Sequence, residues 1–235
     1  LYIRRSGGSI SKIAAMKNAV GNFIDQVTAN ATGDPATNED DVTHRLGIVK
    51  FSGNESDQIG NDTYRSDGNT YNYSQVVQDL TSVTGNVQSL KNTVNELAAA
   101  GSTRTDFGLN QAQRVLDGDW QHGLGGAREE AKQVVVVFTD GEPSTFSNWS
   151  GGVAANAVNL AKDLKDDKVT VYTIGMFEDA DPSDTDGRFN KYMNGVSSNY
   201  PNAEVTNWRG DRTQDWDDCK LGTRVTEGNY YFAAD

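Results

Sequence analysis

Apolar positions recur along this chain with two different periods, and the periods alternate. Ile13, Met16, Val20, Phe23, Ile24 and Val27 share one face at helical spacing, and Ser9 or Ser11 can cap that helix. Leu46-Gly47-Ile48-Val49-Lys50-Phe51 then reads as a strand. Helical spacing returns at Val87, Leu90, Val94 and Leu97, and again at Leu109, Ala112, Val115 and Leu116. Val134 to Phe138 is four valines and a phenylalanine without polar alternation. Such a run predicts a strand buried on both faces, as in a parallel sheet covered by helices. Val153, Ala157, Leu160, Ala161 and Leu164 predict another helix, Val169 to Ile174 a strand ending at Gly175, and Phe189, Tyr192, Met193 and Val196 a short helix. Tyr230 to Ala233 reads as a last strand, and Leu1 to Ile3 as the end of a first one.

Strands and helices in alternation predict an α/β fold: a doubly wound, mostly parallel central sheet with helices on both faces. No repeat and no domain boundary interrupts the pattern, so residues 1–235 read as one domain. Two long polar excursions are inserted, at about 52–74 and 199–228, and loops of that length are usually functional or mobile. The chain reads as truncated at both ends. It opens within a strand-like run and stops three residues after Tyr230-Tyr231-Phe232.

Charge narrows the choice of partner. With 33 acidic and 21 basic residues the net charge is -12, which argues against a nucleic-acid backbone or an anionic membrane. No apolar run approaches the roughly 20 residues that span a bilayer. Cys219 is the only cysteine, so an intrachain disulfide is ruled out. It follows Asp217 and Asp218, whose charges should raise its thiol pKa and leave it inert. With only His44 and His122 as histidines, a Cys/His zinc site or a cysteine–histidine dyad is poorly supplied.

The candidate chemistry lies at the end of the valine strand, where Thr139-Asp140-Gly141-Glu142-Pro143 follows. Open α/β sheets bind ligands outside the carboxyl ends of their strands. Asp140 is therefore placed to hold a cation, although Asp-Gly after a strand is also ordinary turn chemistry. Ser6, before the first helix, and Thr103, before a later one, can converge on the same edge. Two hydroxyls and a carboxylate are hard oxygen ligands suited to Mg²⁺, Mn²⁺ or Ca²⁺. The same hydroxyls could instead cap their helices.

Longer stretches carry a resemblance. Ser11-Lys12-Ile13-Ala14-Ala15-Met16-Lys17-Asn18-Ala19-Val20, Leu46 to Phe51, Gly101-Ser102-Thr103-Arg104-Thr105-Asp106-Phe107-Gly108-Leu109, Val134 to Glu142 and Val171 to Gly175 together resemble a von Willebrand factor type A domain. Asn61 to Ser66, Tyr71 to Ser74 and Phe189 to Pro201 are similar to the subgroup found in surface proteins and pilus-tip adhesins of Gram-positive bacteria. The resemblance implies a metal-ion-dependent adhesion site with Asp140, Thr103 and Ser6 as metal residues and Mg²⁺ (or Mn²⁺/Ca²⁺) as the ion. It implies an extracellular protein ligand whose acidic side chain completes the coordination, neighbouring domains of a larger surface protein, and a cell-wall-anchored or pilus-associated location. Thr105, Glu142, Trp149, Tyr64 and Tyr71 are the expected ligand contacts, tyrosine and tryptophan being the side chains that anchor interfaces.

One element departs from the family pattern. The family's Asp-x-Ser-x-Ser falls on Arg4, Ser6 and Gly8, and an arginine repels a cation. Either the site is degenerate, with Arg4 in the cation's place, or the true motif and first strand lie ahead of Leu1. The absence of the helix that follows the final strand in the family fits the second case. Two rival readings stand beside adhesion: a structural module with a dead site, and a metal-dependent phosphohydrolase, which would need a second carboxylate at a neighbouring strand end. Gly7 to Lys12 lacks the Gly-Lys-Ser/Thr ending of a phosphate loop. Asp181 to Gly187 fails as a calcium loop, since Pro182 would take the first ligand position.

Overall fold

The structure, a computed structural model, describes residues 2–5, 8–31, 44–53, 56–59, 63–66, 68–145 and 148–234. In chain order the elements are β1 (Tyr2–Arg5), β2 (Gly8–Ser11), α1 (Lys12–Ala29), β3 (Arg45–Lys50), β4 (Ser56–Ile59), β5 (Thr63–Ser66), β6 (Asn69–Asn72), β7 (Ser74–Ser82), α2 (Val87–Glu96), α3 (Thr105–Asp117), β8 (Val134–Thr139), α4 (Gly151–Asp166), β9 (Thr170–Gly175), α5 (Arg188–Val196), β10 (Glu204–Val205), β11 (Cys219–Lys220) and β12 (Tyr231–Ala233).

The valine strand β8 pairs in parallel with β9 from Val134↔Thr170 to Thr139↔Gly175, and β9 pairs in parallel with β12. These strands form one three-stranded sheet in the order β12-β9-β8. Helices cover one of its faces; on the other, Val134 is 43% exposed and Val136 and Phe138 line a cleft, so the expected burial of β8 on both faces is not met among the described residues. Val137, Val171 and Tyr231 pack with Leu109 of α3, Tyr192 of α5 and a row from α4 that includes Ala154, Ala157, Val158, Ala161 and Leu164. The alanines let α4 approach closely. Each large side chain buried here, such as Leu164 at 1% exposure, contributes roughly 1.5–3 kcal/mol.

A second three-stranded sheet has the order β3-β7-β4, with β3 antiparallel and β4 parallel to β7. Successive β3 side chains alternate between its faces, as pleating requires. Leu46 and Ile48 meet Ile24 of α1 and Leu90 and Val94 of α2. Val49 meets Val76 and Val115, the latter from α3. Gly47 lets the layers approach closely: an added Cβ would lie 3.1 Å from Val115 Cγ1 and 3.3 Å from the Gln78 carbonyl oxygen and would crowd both.

Two expectations are corrected by these pairings. β7 has no counterpart in the apolar reading, because Ser74-Gln75-Val76-Val77-Gln78-Asp79-Leu80-Thr81-Ser82 mixes polar residues into both faces. Leu1 to Ile3 was expected to end a strand of the central sheet. Instead Tyr2–Arg5 forms a two-stranded antiparallel hairpin with Gly8–Ser11. The helices α1 to α5 and the strands β3, β8, β9 and β12 fall where the periodicity puts them. The excursion at 52–74 carries the β5–β6 hairpin, and that at 199–228 carries the short β10–β11 pair.

Candidate functional site

β8 delivers its last residues to a rim that α1 and α3 also reach. Thr139 closes the turn, its hydroxyl lying 2.9 Å from the Gly141 carbonyl and 3.4 Å from the Gly141 N–H. This turn leaves the Asp140 side chain 45% exposed. Ser11 caps α1 by accepting from the Ala14 N–H at 3.3 Å. Lys12, the next residue, then donates to the Asp140 carbonyl at 3.1 Å, with its ammonium 3.9 Å from Asp140 Oδ2.

Thr103 stands on the same rim. Its backbone is clamped to the loop after β8 from both sides: its N–H donates to Ser144 Oγ and its carbonyl accepts from the Ser144 N–H, both at 3.0 Å. A Cβ added to Gly141 would lie 3.4 Å from Thr103 Oγ1, so Thr103 and the residue following Asp140 are neighbours. Thr103 does not cap α3. The cap residue is Arg104, whose side chain makes no cap bond; in the first turn Asp106 Oδ1 accepts from the Phe107 N–H at 3.0 Å. Arg104 turns away to grip Asp106 through two bonds of 2.8 Å and lies 3.6 Å over the Phe107 ring. Ser6 and Gly7 lie outside the described residues, as does the Arg4 side chain; the Arg4 backbone belongs to β1.

The expected ligand contacts divide. Tyr64 and Tyr71 stack with ring centroids 5.6 Å apart. Tyr71 abuts Gly101, in the loop that leads to Thr103, and Tyr64 abuts Gly53, in the loop after β3. Trp149 and Glu142 share one cluster. Glu142 accepts from Arg188 at 2.9 and 2.7 Å, Arg188 lies 4.7 Å over the Trp149 ring, and Trp149 meets Trp216 edge-on at 5.4 Å. Thr105 is corrected. It is 1% exposed, and its hydroxyl faces the buried hydroxyl of Tyr192 without a well-formed hydrogen bond. That places it in packing, since it is the first residue of α3 and turned inward.

Lys12, Ser144 and Arg188 are site residues that the sequence reading passed over. Lys12 is the first residue of a helix that starts at the sheet's carboxyl edge, and that position was the available signal. Ser144 and Arg188 gave none, being ordinary loop and helix-start residues in sequence.

Thr103 Oγ1 and the Asp140 carboxylate are hard oxygens on one rim and fit a small divalent cation. The Lys12 ammonium lies against the same carboxylate, so an arriving ion must displace it. Among the described residues no group of three His, Cys, Asp or Glu side chains could hold a metal. The carboxylates of the Asp181 loop are occupied by their own loop. Ser183 holds Asp181 below the usual carboxylate range through its hydroxyl and N–H, and the Gly187 N–H, Asn190 side chain and Asp186 N–H do the same for Asp184. Cys219 is buried, and burial rather than its aspartate neighbours pushes its thiol up to about 11. Among the described residues no helix is long and apolar enough to cross a membrane.

Comparison with known proteins agrees with this geometry at the level of fold. The pilus adhesin SpaC from Lactobacillus rhamnosus GG is 16% identical, with 95% of this chain and 26% of that chain covered and a TM-score of 0.53. Proximal thread matrix protein 1 from the mussel byssus is 14% identical over 94% of this chain and 36% of its own, with a TM-score of 0.44. The conserved hypothetical protein BatB from Bacteroides thetaiotaomicron is 13% identical over 97% and 82%, with a TM-score of 0.42. This chain thus spans about a third or less of the mussel protein and the pilus adhesin. No curated protein matches it in sequence. Residues 6–209 match the von Willebrand factor type A domain, and the chain belongs to that family.

Proposed function

We propose that this domain is an adhesion module that captures an extracellular protein through a divalent cation, without chemistry. The observation that carries this reading is the shared rim of Thr103 and Asp140. A threonine hydroxyl not used as a cap lies beside Gly141, the residue after the half-exposed Asp140, at the carboxyl edge of β8. Asp140 would support Mg²⁺, Mn²⁺ or Ca²⁺ directly or through water, and Thr103 would offer its hydroxyl. Ser6 would join them if the segment ahead of α1 reaches the rim. An Asp or Glu of the partner would complete the shell, and Tyr64, Tyr71 and Trp149 would supply apolar contact around it. Family membership and fold likeness to a pilus adhesin fit a place in a larger extracellular protein, wall-anchored or pilus-associated.

A phosphohydrolase would need a second carboxylate beside Asp140. The strands nearest β8 run out into Ser52 and Met176 instead, and Glu142 is engaged by Arg188. Lys12 supports one other reading, a structural module whose tethered ammonium replaces the ion. Calorimetric titration with Mg²⁺ and Mn²⁺ separates the two. Adhesion predicts saturable binding that Asp140→Ala abolishes, whereas the structural module predicts no heat from the wild type.

A further inference from the structure

Between β10 and β11 the chain folds into a tight turn whose tip is Arg209-Gly210-Asp211. The root of the turn is fastened to the core. Val205 is fully buried; its N–H donates to Asn159 Oδ1 at 2.9 Å, and its carbonyl accepts from Asn159 Nδ2 at 3.1 Å. Thr206 and Arg212 face one another in an antiparallel bridge. The Asn207 N–H donates to the Asp211 carbonyl at 2.9 Å, and the Thr213 N–H to the Val205 carbonyl at 3.2 Å.

Asn207 sets the conformation of the tip. Its backbone carbonyl accepts from the Gly210 N–H at 3.0 Å. Its side-chain oxygen accepts from the Arg209 N–H at 2.8 Å and the Asp211 N–H at 3.0 Å. An asparagine that bonds the backbone two residues on is a turn former. Gly210 has φ +85°, and an added Cβ there would meet nothing within 4 Å. Glycine is thus used for its backbone angle, and the tip stands in open solvent. Asn207 and Gly210 account for the turn, which makes no use of the side chains it displays.

Those side chains are Trp208, Arg209 and Asp211, all exposed, Trp208 at 84%. The Arg209 guanidinium lies 4.6 Å over the Trp208 ring, which orients the charge without neutralising it. Among the described residues no ion pair joins Arg209 to Asp211 or to any other acid; the ion pair at this turn is Arg212 with Asp163. The Asp211 carboxylate meets the Asn207 side-chain amide at 3.4 Å through Oδ2, and Oδ1 stays open. A cation and an anion one glycine apart therefore stand uncompensated beside an exposed indole. Arginine and tryptophan are the side chains that dominate binding hot spots, and a turn already held in one conformation loses little freedom on binding.

The two charges define the chemistry of the partner. A guanidinium is gripped by a carboxylate through two parallel bonds. A short carboxylate that offers one free oxygen suits an open position on a divalent ion. We infer that the Arg209-Gly210-Asp211 turn is a second recognition site, read by a cell-surface receptor that takes Asp211 on a divalent cation of its own and Arg209 in an acidic pocket, with Trp208 packed at the edge. The site is separate from the cation rim. Its anchors Asn159 and Asp163 lie about 12 and 18 Å along α4 from Gly151, the helix end beside the loop after β8.

The test immobilises the ectodomain of a cell-surface receptor that binds Arg-Gly-Asp peptides in Mn²⁺ and measures surface plasmon resonance as the chain of residues 1–235 flows over it. Saturable binding is expected, displaced by soluble Gly-Arg-Gly-Asp-Ser and not by Gly-Arg-Gly-Glu-Ser. Asp211→Glu keeps the charge on a longer arm and should weaken binding about tenfold or more, as should Arg209→Ala. Melting temperatures equal to the wild type are expected for both, since neither side chain supports the turn. No binding, displacement by the two peptides alike, or full-strength binding of Asp211→Glu overturns the inference. Binding lost in Asp140→Ala and kept in Asp211→Glu would place capture at the rim and overturn it as well.

Discussion

The Lys12 ammonium lies 3.1 Å from the carbonyl oxygen and 3.9 Å from Oδ2 of Asp140. The first residue of α1 thus sets a positive charge on the carboxylate that ends β8. A divalent ion binding there competes with a tethered monovalent one. Removing the tether by Lys12→Ala should strengthen Mg²⁺ or Mn²⁺ binding about two- to fivefold, the scale of a partly exposed ion pair. Lys12→Glu should strengthen it further. Calorimetric dissociation constants for the two variants check this, and weaker binding in Lys12→Ala would mean that the lysine helps to build the site.

Ser144 fixes the loop that carries Thr103 through two 3.0 Å backbone contacts. Only one of them uses the serine side chain. Ser144→Ala should leave the Thr103 N–H without its acceptor, costing about 1–2 kcal/mol for a partly buried donor. The expected drop in melting temperature is roughly 2–8 °C. Cation affinity should fall as well, because the threonine hydroxyl is no longer held at the rim. Ser144→Thr, which keeps the oxygen, should recover most of both.

Much of this architecture is legible in the sequence. The valine run becomes β8 because apolar side chains need a covering layer: Val137 is buried against the α4 row, although Val134 stays exposed and Val136 lines a cleft, so the second layer that the run predicts is not found among the described residues. The apolar rows from Ile13, Leu109 and Val153 become α1, α3 and α4 for the same reason. β7 escapes because its neighbours supply what its own pattern lacks: Gln75 and Ser74 are fully buried yet polar, and the Ser74 hydroxyl accepts from the Ser52 N–H at 3.0 Å. The site was half visible. Asp140 is marked by the strand it ends, and Thr103 by its family motif. Lys12, Ser144 and Arg188 become site residues only through contacts spanning 41 to 128 positions, which no local pattern encodes. Thr105 shows the converse. Its place in the motif suggested a ligand contact, but the first turn of α3 rotates it inward.

Lys165 tests the packing behind the sheet. Its ammonium donates to the carbonyls of Gly195, Ser197 and Tyr200 at 2.8, 3.3 and 3.0 Å, tying the end of α5 to α4. Burial, then the nearby Lys162, pull its pKa down to about 7 from 10.5. The unfolded chain keeps the proton up to its higher pKa, so between these values it binds more protons than the folded chain. Stability should therefore rise with pH from about 7 upward, and the penalty of holding the charged form is present in full below that. Melting curves at pH 7 and pH 9 should show a larger upward shift for the wild type than for Lys165→Met. An equal shift would place the titration elsewhere.

The central claim is that Thr103 and Asp140 hold one hard cation between them. Crystals grown with Mn²⁺ test it most directly through the metal's anomalous scattering. The account predicts a single strong peak at the rim, at coordination distance from Thr103 Oγ1 and bound to the Asp140 carboxylate directly or through one water, with Lys12 swung aside. A rim without manganese, with Lys12 still on Asp140 at saturating metal, would contradict it.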